Sequence, residues 1–228
     1  MNAAGALDAL PRAVIFDMDG LMLDSERALL GCLAQAGGEA GHDLPEDFLL
    51  SLIGSSDALT RERIAGRVGR DAVEALLRES YARYDDLVAV GVPHRPGVID
   101  LLDTLAAHGV PRAVATSTRR PLALRKLETA GLLRYFEHVA TSSDVAHPKP
   151  APDIYLLAAH RLGVEPAHCL ALEDSPTGVR AALAAGMRVI QVPDLLEPDA
   201  AVRALGHRIA GSLHEVRGLL QPLLAATA

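Results

Sequence analysis

Two acids stand at positions 17 and 19 in the string Phe16-Asp17-Met18-Asp19-Gly20. They follow Ala13-Val14-Ile15-Phe16, a short apolar run whose β-branched and aromatic residues favour a buried strand. Gly20 gives the backbone freedom to turn at that point. Carboxylates two residues apart at a strand end repel, and burial raises the cost of ionising both. A divalent cation removes that cost, and Mg²⁺ takes one or two carboxylates together with waters and phosphate oxygens. The pair reads as half of a metal and phosphoryl site. The alternative is that both acids only bond to the turn backbone.

Chemistry-bearing residues also follow the other predicted strands. Thr116, Ser117 and Thr118 come after an apolar run at 112–115, Pro148-Lys149-Pro150 after 137–141, and Glu173-Asp174 after 168–172. Each has a plainer reading: a helix cap for Thr116 or Thr118, a solvated loop lysine for Lys149, dipole-favoured acids for Glu173 and Asp174. Together they place acids, hydroxyls and a cation at four separate strand ends, where α/β sheets bind ligands.

Their positioning requires a parallel sheet. Strands are predicted at 13–16, 112–116, 137–141, 168–172 and 188–192. Helical patterns lie between them at 97–108, 121–130, 152–162 and 175–185, several opening on Pro or Ser and closing on Gly. Such alternation predicts βαβ units. Residues 25–92 show helical patterns alone and read as an inserted small domain, with turn residues near Asp24-Ser25 and Gly91-Val92-Pro93 marking the crossings.

Composition narrows the function classes. The chain has 228 residues, 50% hydrophobic and 22% charged, as an ordinary globular protein does. A net charge of −7 with no basic block, and 3% aromatics with no Trp, argue against a nucleic-acid partner. No apolar stretch is long enough to span a bilayer, and Met1–Leu10 does not read as a signal peptide. Two distant cysteines, Cys32 and Cys169, predict buried thiols in a reducing, cytoplasmic setting.

The charge pattern suggests phosphoryl transfer. Phosphate monoesters resist hydrolysis so strongly that enzymes reach accelerations of ~10²¹, roughly 28 kcal/mol. One hydrogen-bond donor supplies only about 3–4 kcal/mol, so several groups must share the task. An Asp carboxylate can attack phosphorus and a second carboxylate can shuttle the proton. Lys149 would hold the nucleophile and a phosphoryl oxygen together, and Thr116 and backbone N–H groups would bind the remaining oxygens.

The four motifs, in this order, resemble those of the haloacid dehalogenase-like hydrolases. The strings at 16–26, 149–155 and 173–182 carry the resemblance, and the insert resembles the helical cap of the β-phosphoglucomutase-like and phosphoglycolate-phosphatase-like subgroup. The resemblance implies a Rossmann-like three-layer parallel α/β core over 1–24 and 93–228, with an all-helical cap over 25–92. It implies Asp17 as nucleophile and metal ligand, and Asp19 as general acid/base with its carbonyl on Mg²⁺. Met18, Ser117, Thr116 and Lys149 would bind phosphate, and Asp174 would complete the metal site with Glu173 as helper.

Asp19 argues against a dehalogenase, whose halide leaves without a proton. Leu29 stands where β-phosphoglucomutases carry His, and Gly54-Ser55-Ser56-Asp57 lacks an Arg beside the Gly. The expectation is a phosphatase acting as a monomer on a small phosphorylated metabolite, sugar-phosphate-like, with a phosphomutase as the alternative. A phospho-accepting receiver or an inactive phosphate binder is the rival from another class. Candidate substrate contacts are Glu26, Ser55, Ser56, Arg61 and Tyr84 from the insert and Arg119 from the core.

Overall fold

The computed structural model describes residues 7, 9–53 and 55–226. Strand β1 is Ala13–Phe16. Four helices follow: α1 (Ser25–Glu39), α2 (Glu46–Ser51), α3 (Asp57–Val68) and α4 (Arg70–Val90). The α/β alternation then begins with α5 (Val98–Ala107), β2 (Arg112–Thr116), α6 (Arg120–Thr129) and β3 (His138–Thr141). It continues with α7 (Asp153–Leu162), β4 (Cys169–Glu173), α8 (Pro176–Ala184) and β5 (Arg188–Gln191). Helix α9 (Ala200–Arg203), β6 (Arg208–Ile209) and α10 (Leu213–Ala225) complete the chain.

The six strands form one parallel sheet in the order β3-β2-β1-β4-β5-β6. Five of them were predicted from apolar runs. The sixth is only two residues long, too short to leave a run. The central strands are buried throughout, which is why they read as continuous apolar stretches. One sheet face, through Ala13, Ile15, Ala113, Ala115 and Ala171, packs against Ile154, Tyr155 and Ala158 of α7 and Val179 and Ala182 of α8. Alanine is frequent at this contact, so the helices can lie close to the sheet.

The chain divides into two compact units, 1–24 with 93–228, and 25–92. The first is the Rossmann-like sheet with its flanking helices. Its chain leaves and re-enters through paired backbone: Leu23 bridges antiparallel to His94, and the Asp24 N–H donates to Pro93 O at 2.8 Å. The second unit is wholly helical in its regular elements, with its own core of residues such as Leu33, Leu49, Leu52, Ile64, Val73 and Leu77. Among the described residues, no helix is long and apolar enough to cross a membrane.

Candidate active site

Strand order reverses beside β1, where the chain steps from β3 across to β4. Such a switch point opens a crevice beyond the carboxyl ends of the strands. Asp17 follows β1 and its N–H donates to Leu172 O of β4 at 3.0 Å, which locks the two strand ends together. The chain then turns tightly. Gly20 adopts φ +82°, and Met22 and Leu23 both donate to Met18 O at 3.0 Å. An added Cβ at Gly20 would lie 2.2 Å from Asp174 Oδ2, so the glycine is also what leaves room for that carboxylate.

Lys149 reaches into the crevice from the loop before α7, its side chain only 4% exposed. Its ammonium donates to Asp17 Oδ1 at 2.6 Å, Glu173 Oε1 at 2.6 Å and Ala115 O at 2.9 Å. The Tyr155 hydroxyl is a fourth, longer contact at 3.4 Å, so the three ammonium hydrogens are all engaged and the group's direction is fixed. The ammonium also sits 4.9 Å from the centre of the Tyr155 ring, a cation–π contact. Tyr155 is fully buried and donates its hydroxyl to Glu173 Oε1 at 2.7 Å.

Glu173 is fully buried, and both its oxygens are engaged. Oε1 takes Lys149 and Tyr155, while Oε2 accepts from Asp174 N–H and Ser175 N–H at 3.1 Å and from Ser175 Oγ at 3.0 Å. This carboxylate therefore aims Lys149 and shapes the loop that presents Asp174. Behind the loop, the buried Gln191 side chain donates to Asp174 O at 2.8 Å.

One ammonium facing two buried carboxylates leaves excess negative charge. Burial lifts the Asp17 pKa to about 7; Lys149 pulls it down and Glu173 pushes it up. Burial on its own would lower the Lys149 pKa, but Asp17 and Glu173 outweigh it and hold the amine above its ordinary value. Both shifts favour the protonated form, which is neutral for Asp17 and charged for Lys149. Lys149 is charged because two carboxylates share it, and the rise at Asp17 comes from burial first and then from the negative charge of Glu173 beside it. Burial, then Glu173 and Asp17, raise Tyr155 well above its usual value, which keeps it a donor.

Asp17, Glu173 and Asp174 bring carboxylate oxygens within 4.8 Å of one another. An all-oxygen, anionic donor set suits a hard divalent cation. The recess kept beside Gly20 lets Asp174 take part, so the residues present fit such an ion.

Asp19 lies apart from that trio. Thr118 Oγ1 donates to its Oδ2 at 2.6 Å, and Lys126 Nζ of α6 donates to its Oδ1 at 2.7 Å. Thr116 is buried, and its Oγ1 accepts from Thr118 N–H at 3.0 Å. Ser117 and Arg119 are exposed. Several candidates in the helical unit have partners within that unit. Ser56 caps α3, accepting from Leu59 N–H at 3.3 Å. Arg61 pairs with Asp57 at 2.8 Å and with Glu74. Tyr84 is half-buried on α4. Glu26 and Ser55 line a cavity of about 340 Å³ inside the helical unit, together with Leu29, Leu33, Leu52 and Tyr81. Gly54, part of the loop string compared with the mutases, lies outside the described residues.

Three residues the sequence reading gave no role are Lys126, Tyr155 and Gln191. Tyr155 lies within the 149–155 string, two residues after Asp153, on a helix pattern. Lys126 sits ten residues beyond Thr116, on a helix face, and nothing in its neighbourhood distinguishes it from a solvated lysine.

Comparison with known proteins places the chain in a family. Residues 11–186 match the haloacid dehalogenase-like hydrolase family. The chain is 34% identical over 205 residues to hexitol phosphatase A of Escherichia coli K12, covering 85% of this chain and 91% of that one. It is 34% identical over 181 residues to the fructose-1-phosphate phosphatase YqaB of the same organism, covering 78% and 95%. The fold superposes with a TM-score of 0.79 on a HAD family hydrolase from Deinococcus radiodurans R1, solved with bound phosphate and sodium. That match is 32% identical and covers 93% of this chain and 99% of that one. With a parallel sheet whose switch point gathers Asp17, Lys149, Glu173 and Asp174, this chain belongs to the haloacid dehalogenase-like hydrolases.

Proposed function

We propose that the protein is a Mg²⁺-dependent phosphatase that hydrolyses a small phosphorylated metabolite, sugar-phosphate-like, through an aspartyl-phosphate on Asp17. The observation that carries this reading is the buried Lys149 ammonium 2.6 Å from both Asp17 and Glu173. It ties the nucleophile on one strand to the metal-site loop on the next. Two curated relatives are named as phosphatases of sugar or sugar-alcohol phosphates.

Asp17 attacks phosphorus through one carboxylate oxygen, and the P–O bond to the leaving alkoxide breaks. Protonated Asp19 gives its proton to that alkoxide, which leaves as the alcohol. In the second half, the Asp19 carboxylate takes a proton from water as the water oxygen bonds to phosphorus. Inorganic phosphate departs and Asp17 is regenerated. Lys149 orients Asp17 and neutralises a phosphoryl oxygen, and Thr116 with the Met18 and Ser117 backbone binds the others. Asp17, Asp174 and the Asp19 carbonyl would hold Mg²⁺, with Glu173 behind them. When bound, the ion supplies charge neutralisation on the phosphoryl group.

We further propose that residues 25–92 act as a cap, with Glu26 and Ser55 reading the substrate. Leu29 offers no imidazole for a mutase's proton transfer, which favours hydrolysis over phosphoryl return. Cys32 and Cys169 are buried free thiols, in keeping with a cytoplasmic setting. A screen of phosphorylated metabolites with Mg²⁺, including β-glucose 1-phosphate, tests the reading. Repeated release of inorganic phosphate is expected. A single stoichiometric label on the protein would indicate a phospho-acceptor, and glucose 6-phosphate as product a mutase.

A further inference from the structure

Lys126 is a buried lysine outside the phosphate-binding motifs. It is 5% exposed on α6, between the buried residues Ala123 and Leu127, and its ammonium lies 2.7 Å from Asp19 Oδ1. Burying an ammonium is costly unless it is paired and hydrogen-bonded. The opposite Asp19 oxygen, Oδ2, meets the Thr118 hydroxyl at 2.6 Å.

These two partners differ in kind. A lysine ammonium only donates, whereas a threonine hydroxyl both donates and accepts. Oδ1, facing Lys126, is therefore an acceptor throughout. Oδ2 can sit beside Thr118 either as a bare oxygen accepting a hydrogen bond or as a protonated one donating it. We propose that Lys126 is a positioning residue that fixes the Asp19 carboxyl so that Oδ2 is the oxygen that gives and takes the catalytic proton. The proposal rests on the phosphatase reading given above. In its proton-donating step, the hydrogen on Oδ2 passes to the departing ester oxygen as the P–O bond breaks. Oδ2 then recovers a proton from the attacking water.

The test compares two esters whose leaving groups differ in their need for that proton. p-Nitrophenolate is a weak base and departs without one. Phenolate has a conjugate acid near the tyrosine value of about 10 and gains from protonation. The ratio kcat/KM reports the steps up to loss of the leaving group. Wild type, Lys126→Met, Lys126→Arg and Thr118→Val are assayed on p-nitrophenyl phosphate and phenyl phosphate with Mg²⁺.

Lys126→Met is expected to lose about tenfold or more in kcat/KM on phenyl phosphate, a part of the 10²–10⁴ that general acids supply, and under about threefold on p-nitrophenyl phosphate. Lys126→Arg should restore most of the phenyl phosphate rate. Thr118→Val, which leaves Lys126 in place, should shift the ratio between esters in the same direction, and it decides the question if Lys126→Met does not fold. Equal losses on both esters, or no loss, would overturn the proposal while the phosphatase reading stands. A wild-type chain that turns over neither ester would overturn that reading, and the proposal with it.

Discussion

A Cβ on Gly178 would lie 1.7 Å from Oε1 of Glu173, so the absence of a side chain at 178 is what gives that carboxylate its place. Gly178 is on the first turn of α8, and its N–H donates to the Ser175 cap at 3.1 Å. Glu173 cannot easily swing aside, because Lys149, Tyr155, Ser175 and the Asp174 backbone all donate to it. Helix packing and site geometry therefore meet at one glycine.

Gly178→Ala should accordingly lower stability by roughly 1–3 kcal/mol, the usual cost of forcing atoms into a filled site. It should also cut phosphatase activity, since Glu173 aims Lys149. Gly218 of α10 has no atom within 4 Å of a would-be Cβ, and Gly218→Ala should gain about 0.5–1 kcal/mol instead. Melting temperatures of the two variants check the contrast; equal shifts would contradict it.

The metal assignment predicts a specific response to Mg²⁺. Asp174→Asn removes one carboxylate of the trio while leaving the Gln191 hydrogen bond to the Asp174 backbone available. Half-saturation in a Mg²⁺ titration of activity should rise by at least about tenfold, the scale seen even for residues supporting a ligand. EDTA should abolish wild-type turnover and added Mg²⁺ restore it. An unchanged titration would remove Asp174 from the metal site.

Acid stability should depend on Asp144, in the short 3-10 turn after β3. Burial alone would raise its pKa, but hydrogen bonds from Arg120 and from the Thr141 backbone and hydroxyl outweigh that and hold it at about 2, against an ordinary value of 3.8. A folded-state pKa below the unfolded one adds stability above the unfolded value. That stability is lost as pH falls through the window from about 4 to about 2. Asp144→Asn should lower the melting temperature near pH 7 and flatten its fall across that window. Wild type and variant curves that stay parallel down to pH 2 would exclude the pairing as a source of acid sensitivity.

Much of the core was legible because its physics is local. A parallel strand buried on both faces must be an apolar run, so β1 to β5 stand out, and a ligand crevice beyond their carboxyl ends directs attention to Asp17, Thr116, Lys149 and Asp174. Strand β6 has two residues and no run to show. Lys126 escaped notice because its meaning comes from Asp19, 107 residues away in sequence, and a helix-face lysine looks the same whether solvated or buried. Ser56 caps α3, a role that a Ser just before a helix pattern already signals in the sequence.

Asp17 is the proposed acceptor of the phosphoryl group. The most direct measurement is steady-state hydrolysis of p-nitrophenyl phosphate with Mg²⁺ by wild type and Asp17→Asn, alongside their melting curves. Asp17 is one of two buried carboxylates sharing Lys149, so removing its charge should leave the fold intact and the melting temperature unchanged or raised. Turnover should fall by at least about a thousandfold, as expected when a covalent nucleophile is lost. A folded Asp17→Asn protein that still turns over the ester at a rate near that of wild type would contradict the account.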